Sequence, residues 1–501
     1  AMAVTYPRAG NLGGGGFMVI HNAATGEAIT IDYRETAPAA AKPDQFLRDG
    51  KPIPFEEAVL SGLSVGVPGV MRMLELAHKR HGKLAWKDLF APAIKLADDG
   101  FVVSRRLNML LRGSGASKFS PGARAYFFDD AGAARPEGYI LKNPAYAATL
   151  RALADKGATA LYEGEIANGI AAAVTAAKGV MTTTDLANYT AIERDPVCIT
   201  YREHRICGMG PPSSGAITIA QTLKLIEPFE SITGSDKRMT TEALHLIAEA
   251  EKLAYADRNR YIADPAFVPQ PSGLLDDGYL AERRKLIDPK RAMPRAEPGI
   301  PPGVARRSFG IDQTREIAGT SHVSVLDDAG NAVSMTTTIE GAFGSHLWAA
   351  GFLLNNELTD FSFMPVDEHG TPVANAVAGG KRPRSSMAPT LVFDKNGDLE
   401  IITGSPGGSR IILYVAKTLV AMLDWGMDAE SAATLVNFGS QGQKFELEFG
   451  MDALSPGLNL KAYGHSVMPE TITSGIHTIA RRNGRIEGAA DPRREGAALG
   501  D

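Results

Sequence analysis

Short apolar runs alternating with polar residues recur in pairs around turn-forming clusters, the pattern of antiparallel hairpins. Residues 17–21 and 28–33 flank Thr25-Gly26, and residues 322–326 and 332–338 flank a stretch from Asp327 to Asn331. Residues 391–393 and 399–403 flank Asn396-Gly397, and residues 476–480 and 486–489 flank Asn483-Gly484. Between these pairs, apolar residues near helical spacing predict helices over 66–78, 83–98, 144–156, 166–177, 241–262 and 409–423. Helices alternating with hairpins predict an α+β fold in which helices pack on antiparallel sheets.

One stretch fits neither pattern. Residues 283–319 carry Pro289, Pro294, Pro298, Pro301 and Pro302 among several arginines. Proline removes backbone donors and blocks helices, so a long connection with little regular structure is expected, of a length that is usually functional or mobile. It runs through Glu316-Ile317-Ala318-Gly319 directly into Thr320 and a predicted strand.

Composition adds mainly exclusions. The chain has 501 residues, 44% hydrophobic and 22% charged, which excludes a disordered chain. At about 150 residues per domain the length suggests three domains. The 52 basic and 57 acidic residues leave a net charge of −5 with no block of like charge, so nothing points to nucleic acid. The longest apolar stretch, 411–423, is broken by Lys417 and is too short to span a membrane. Cys198 and Cys207 are too few for a disulfide framework, and the ten histidines include no metal-binding spacing, so no metal is expected.

Five features are candidates for chemistry. The glycine-rich run 10–16 is followed by a strand and has no Lys-Ser/Thr, so it reads as close backbone packing rather than a phosphate loop. Gly404-Ser405-Pro406-Gly407-Gly408-Ser409 ends a strand and opens a helix; its N–H groups suit an oxyanion, or form a plain turn. Arg382-Pro383-Arg384-Ser385-Ser386, with Arg34 from a hairpin end, suits a carboxylate, or is a solvated loop. Glu340, Glu357 and Asp360 lie among apolar and amide residues and suit a substrate ammonium, or form a solvated face. Thr320 is the candidate nucleophile: cutting after Gly319 would give it a free α-amine able to take the proton of its own hydroxyl.

Taken together, these segments resemble the γ-glutamyltransferase family of N-terminal nucleophile hydrolases, in collinear order over nearly the whole chain. The matching pieces include 10–17 with 32–38, 195–201, 211–215, 248–257, 320–331, 353–362, 381–389, 404–410 and 491–493. The resemblance implies an αββα four-layer sandwich formed jointly by two autocleaved subunits, 1–319 with a mobile end at 283–319, and 320–501. It makes Thr320 the nucleophile, Thr338 the hydroxyl that orients it, and Gly407 and Gly408 the oxyanion donors. Arg34, Ser385 and Ser386 would bind the α-carboxylate of a γ-glutamyl group, and Glu340, Glu357 and Asp360 its α-ammonium. Implied donors are glutathione, glutamine and poly-γ-glutamate, with an amino acid, a peptide or water as acceptor.

Two departures from the family pattern bear on specificity. Many members carry asparagine at the position of Glu340, and the segment 361–381 is shorter than in lidded members and lacks the lid tyrosine. A more open site, favouring bulky donors or water, is expected. Residues 1–7 look like the end of a helix that has several dozen residues before it in relatives, so the chain is expected to lack its leader and first helix. The resemblance also implies export to the periplasm or medium. The alternatives are a glutaryl or cephalosporin-type acylase on the same scaffold, and an uncleaved, inactive binding homologue.

Overall fold

The computed structural model describes residues 1–304, 309–482 and 484–500, with side chains for all of these except 451–454. Residues 305–308 of the proline-rich stretch and Asn483 of the last predicted turn lie outside the described residues.

Eleven strands build two large antiparallel sheets. In chain order they are β1 (Gly15–Asn22), β2 (Glu27–Asp32), β3 (Ile192–Arg194), β4 (Val197–Tyr201), β5 (His204–Gly208) and β6 (Ser321–Leu326). They continue with β7 (Ala332–Thr338), β8 (Thr390–Phe393), β9 (Leu399–Gly404), β10 (His477–Arg482) and β11 (Arg485–Ala490). One sheet runs β6-β7-β1-β2-β3 and the other β11-β10-β9-β8-β5-β4. Both mix strands from either side of Thr320.

The period of two along each strand sorts side chains between layers. Val19, Ala332, Cys207, Leu391, Phe393 and Ile402 form a core between the sheets. Met18, Ile20 and Ile31 face the opposite way, onto residues of the helices Val70–His81, Ala91–Asp99, Pro144–Lys156 and Glu165–Ala176. Ile206, Val392 and Ile401 of the second sheet pack on the helices Gly215–Ile226, Thr241–Tyr261 and Ile411–Leu423. Helices, sheet, sheet, helices: this is the expected αββα sandwich.

Helix boundaries follow local chemistry. Asn143 caps Pro144–Lys156, its side-chain oxygen accepting from the Tyr146 N–H at 2.9 Å, and Gly157 ends the helix at φ 74°. The helix expected from residue 66 starts at Val70, because Pro68 disfavours helical geometry in the residue before it. The expected helix 83–98 is a 3₁₀ turn, Trp86–Phe90, followed by Ala91–Asp99 with Pro92 in its first turn. Gly215–Ile226 escapes the periodicity argument: it is buried nearly all round and rich in β-branched residues, which reads as strand. Cys198 and Cys207 stand directly opposite each other in the β4–β5 register and form a disulfide. No helix among the described residues is long and apolar enough to cross a membrane.

Candidate active site

The β6–β7 register pairs Ser321 with Thr337, which brings Thr320, one residue before β6, beside Thr338 at the end of β7. The Thr320 hydroxyl donates to Thr338 Oγ1 at 3.2 Å, and Thr338 Oγ1 also accepts from the Glu340 N–H at 2.8 Å. Both threonines are buried. Thr320 has φ 76°, a left-handed conformation that is strained for a β-branched residue. The glycine-rich run is close backbone packing, as expected: a Cβ on Gly14 would lie 1.9 Å from the Thr338 carbonyl oxygen.

A cavity of only about 20 Å³, room for roughly one water, is lined by Thr320, Thr338, Arg34, Glu340, Glu357, Asp360, Ser385, Ser386 and Gly408. Nine of the ten residues singled out in the sequence therefore meet at one place. Gly407 is the exception, set back against the Tyr414 ring, with φ 149°. Glu316 and Ile317 also line the cavity. The Ile317 N–H donates to Glu340 Oε1 at 3.2 Å, and the Gly319 carbonyl oxygen accepts from Arg494 Nη1 at 3.4 Å. Beyond residues 313–315 of the same segment opens a second cavity of about 730 Å³, bordered by Phe363, Met364 and Val366 of the 361–381 stretch.

Arg34 does not stand alone as a cationic wall. It pairs with Glu357 and, at 2.5 Å, with Asp360, and donates to the carbonyl oxygens of Pro383 and Arg384. Burial alone would push its guanidinium down, but Glu357, Asp360 and Glu35 hold it above its ordinary value. Burial pushes the Asp360 carboxyl up to about 8, against the pull of Arg34 and with the help of Glu357 and Glu316. Burial, then Asp360 and Glu357, likewise raise Glu340 well above the carboxylate range, and burial with Glu357 raises Glu35. Three buried carboxyls, Glu35, Glu357 and Asp360, share the Arg34 guanidinium and Glu340 adds a fourth acid beside two of them, an arrangement that favours bound protons or a cation. Glu357 Oε2 and Asp360 Oδ1 have no hydrogen-bond partner among the described residues.

The 382–386 corner departs from expectation. Arg382 turns to Asp32 at 2.8 Å and Arg384 to Asp312 at 2.8 Å. The guanidinium that reaches the Ser386 hydroxyl is Arg258, which donates to Ser386 Oγ at 2.6 Å and to Ser214 Oγ at 2.8 Å. Sequence reasoning missed Arg258, which sits one residue past the matching piece 248–257, and it missed Glu35, next to Arg34. The scattered histidines also gather once: His245, Glu249 and His465 place ligand atoms within 4.8 Å. Both Glu249 oxygens and both His245 nitrogens are already engaged, because Lys252 Nζ and the Met293 N–H donate to Glu249 while His245 bonds His465 Nε2 and the Asp288 carbonyl oxygen. An ammonium beside the carboxylate does not fit a metal there.

A four-layer αββα sandwich with a threonine directly ahead of a strand of one inner sheet defines the N-terminal nucleophile hydrolase class. The profile of the gamma-glutamyltranspeptidase family matches residues 1–501, and the chain belongs to that family. Glutathione hydrolase proenzymes of Escherichia coli and Bacillus subtilis (strain 168) are 37% and 36% identical to it; these matches cover 98% and 100% of this chain and 84% and 86% of theirs. The crystal structure of a Helicobacter pylori gamma-glutamyltranspeptidase is 34% identical with TM-score 0.57, covering 60% of this chain and 86% of its own. A cephalosporin acylase from Bacillus halodurans shares the fold, with TM-score 0.83 at 23% identity over 99% of this chain and 88% of its own.

Proposed function

We propose that the protein is a γ-glutamyltransferase and glutathione hydrolase that matures by cutting itself between Gly319 and Thr320. The observation that carries this reading is the Thr320–Thr338 hydroxyl contact directly ahead of strand β6, inside a cavity lined by the acids and hydroxyls a γ-glutamyl group needs. In the precursor, the Thr320 hydroxyl attacks the Gly319 carbonyl and the peptide nitrogen becomes the free α-amine. Water then hydrolyses the ester, leaving fragments 1–319 and 320–501 as a heterodimer. Strain at the positive-φ Thr320 favours the shift.

In the mature enzyme, Thr320 Oγ attacks the γ-amide carbonyl of the donor while its own α-amine takes the proton and passes it to the leaving amine. Thr338 orients the hydroxyl, and the Gly407 and Gly408 N–H groups meet the oxyanion, at about 2.7–4 kcal/mol for a well-placed donor. Arg34, Ser385 and Ser386 hold the α-carboxylate; Glu340, Glu357 and Asp360 hold the α-ammonium, replacing the protons that the empty acid cluster carries. An amino acid, peptide or water then takes the γ-glutamyl group from the Thr320 ester. No metal or organic cofactor enters these steps.

The acylase reading is weaker, because a glutaryl group has no ammonium for the acid cluster. The proenzyme relatives and the Cys198–Cys207 disulfide support export to an oxidising compartment such as the periplasm or the medium. A denaturing gel of fresh and aged protein beside Thr320→Ala tests the cut: two bands are expected from the unmutated protein and one full-length band from the variant. A single persistent band in the unmutated protein, or a preference for glutaryl- over γ-glutamyl-p-nitroanilide, would overturn the reading.

A further inference from the structure

The segment ahead of the cut already holds a carboxylate in the serine corner. Glu316 Oε2 accepts from Ser386 Oγ at 2.6 Å, and its other oxygen pairs with Arg258 and lies 3.7 Å from Arg384 Nη2. Glu316 and both arginines are almost fully buried. Burial opposes ionisation of Glu316, but Arg258, Arg384 and the Ser386 hydroxyl hold its carboxyl below the usual range. The second acid on these cations, Asp312, lies on the same segment. Arg384 Nε and Nη1 have no further partner among the described residues. Departure of the segment therefore strips a buried guanidinium pair of its anions, which is unfavourable unless another anion arrives.

We infer that Arg258 is a further carboxylate-binding residue of the donor site, and that Glu316 is a built-in stand-in for the donor's α-carboxylate, holding the segment in place until the cut. The inference rests on the proposed cleavage and γ-glutamyl chemistry. It divides the two ends of the donor more sharply than the sequence does. Arg34 is spent largely on Glu357 and Asp360, whereas Arg258 meets a carboxylate at a hydroxyl that also lines the nucleophile's cavity.

Two measurements test it. Glu316→Gln keeps the shape of the side chain and removes its charge; self-cleavage, followed on gels, is expected to slow tenfold or more, and an unchanged rate overturns the tether. In mature Arg258→Lys, KM for γ-glutamyl-p-nitroanilide is expected to rise about tenfold or more with kcat largely kept. Hydrolysis of 4-aminobutyryl-p-nitroanilide, which has the amine but no α-carboxylate, is expected to stay unchanged. Equal losses on both donors, or none on the first, overturn the carboxylate role. Should Arg258→Lys stay uncut, the Glu316→Gln time course decides alone. Failure of the unmutated protein to cut, by contrast, removes the underlying function rather than this assignment.

Discussion

The carbonyl oxygen of Glu340 occupies the place a methyl group on Gly319 would need, 1.5 Å from the ideal Cβ position. The obstacle is backbone, which cannot swing aside like a flexible side chain. Gly319→Ala is therefore expected to displace the peptide to be cut and to slow self-cleavage a hundredfold or more, while the sandwich still folds. A gel time course with circular dichroism checks this, and cutting at the unmutated rate would contradict it.

Thr338 Oγ1 takes a hydrogen bond from the Glu340 N–H, which fixes it where the Thr320 hydroxyl can reach it. Thr338→Ala is expected to lower both the cleavage rate and kcat about 10- to 100-fold with little change in KM, and Thr338→Ser to restore most of both. A rise in KM alone would mean that Thr338 shapes binding rather than orienting the nucleophile.

Asp360 gives a pH signature in the uncut Thr320→Ala protein. Its carboxyl titrates near 8 when folded, against about 3.9 unfolded. Between those values the folded chain holds a proton that the unfolded chain has lost. Stability from this group is thus full below about pH 4 and is lost as pH rises to about 8, by on the order of 1 kcal/mol per unit. Glu35, Glu340 and Glu357 face the same cluster and share the titration. Melting temperatures at about pH 5, 7 and 9 are expected to fall less steeply in Thr320→Ala/Asp360→Asn; identical slopes would contradict this.

Gln313, Thr314 and Arg315 line the cavity of about 730 Å³ and the adjoining Glu316 and Ile317 line the cavity at Thr320, so release of this segment after a cut is expected to connect the two. Donors with long leaving groups are then expected to be accepted. Poly-γ-glutamate oligomers should be cleaved with kcat/KM within about tenfold of glutathione. Activity on glutathione without activity on the oligomers would count against an open site.

What the sequence shows of this molecule depends on range. The hairpin 321–338 is legible because period-two alternation and a turn signal lie within eighteen residues, and Thr320 because a proline-broken stretch ends on glycine beside it. Arg258 is not legible: it sits on a helix buried nearly all along its length, and its partner Ser386 is 128 positions away. Arg34 and Glu357 are 323 positions apart, so their pairing, which changes the meaning of both, exists only in the fold. The separate cationic and anionic walls expected from charge chemistry meet in one cluster for the same reason.

The strand order carries a last consequence. β1 lies between β2, from its own side of Thr320, and β7, from the other, in a seven-pair ladder from Gly15–Thr338 to His21–Ala332. A cut before Thr320 leaves that ladder intact but changes the molecularity of folding. The precursor refolds from one chain at a rate independent of concentration; the mature pair, once unfolded, must find its other half, so refolding becomes second order and slows on dilution. Cleavage would thus give the molecule a history: heating the precursor is reversible in principle, whereas heating the dilute mature enzyme discards the arrangement that only the single chain could assemble.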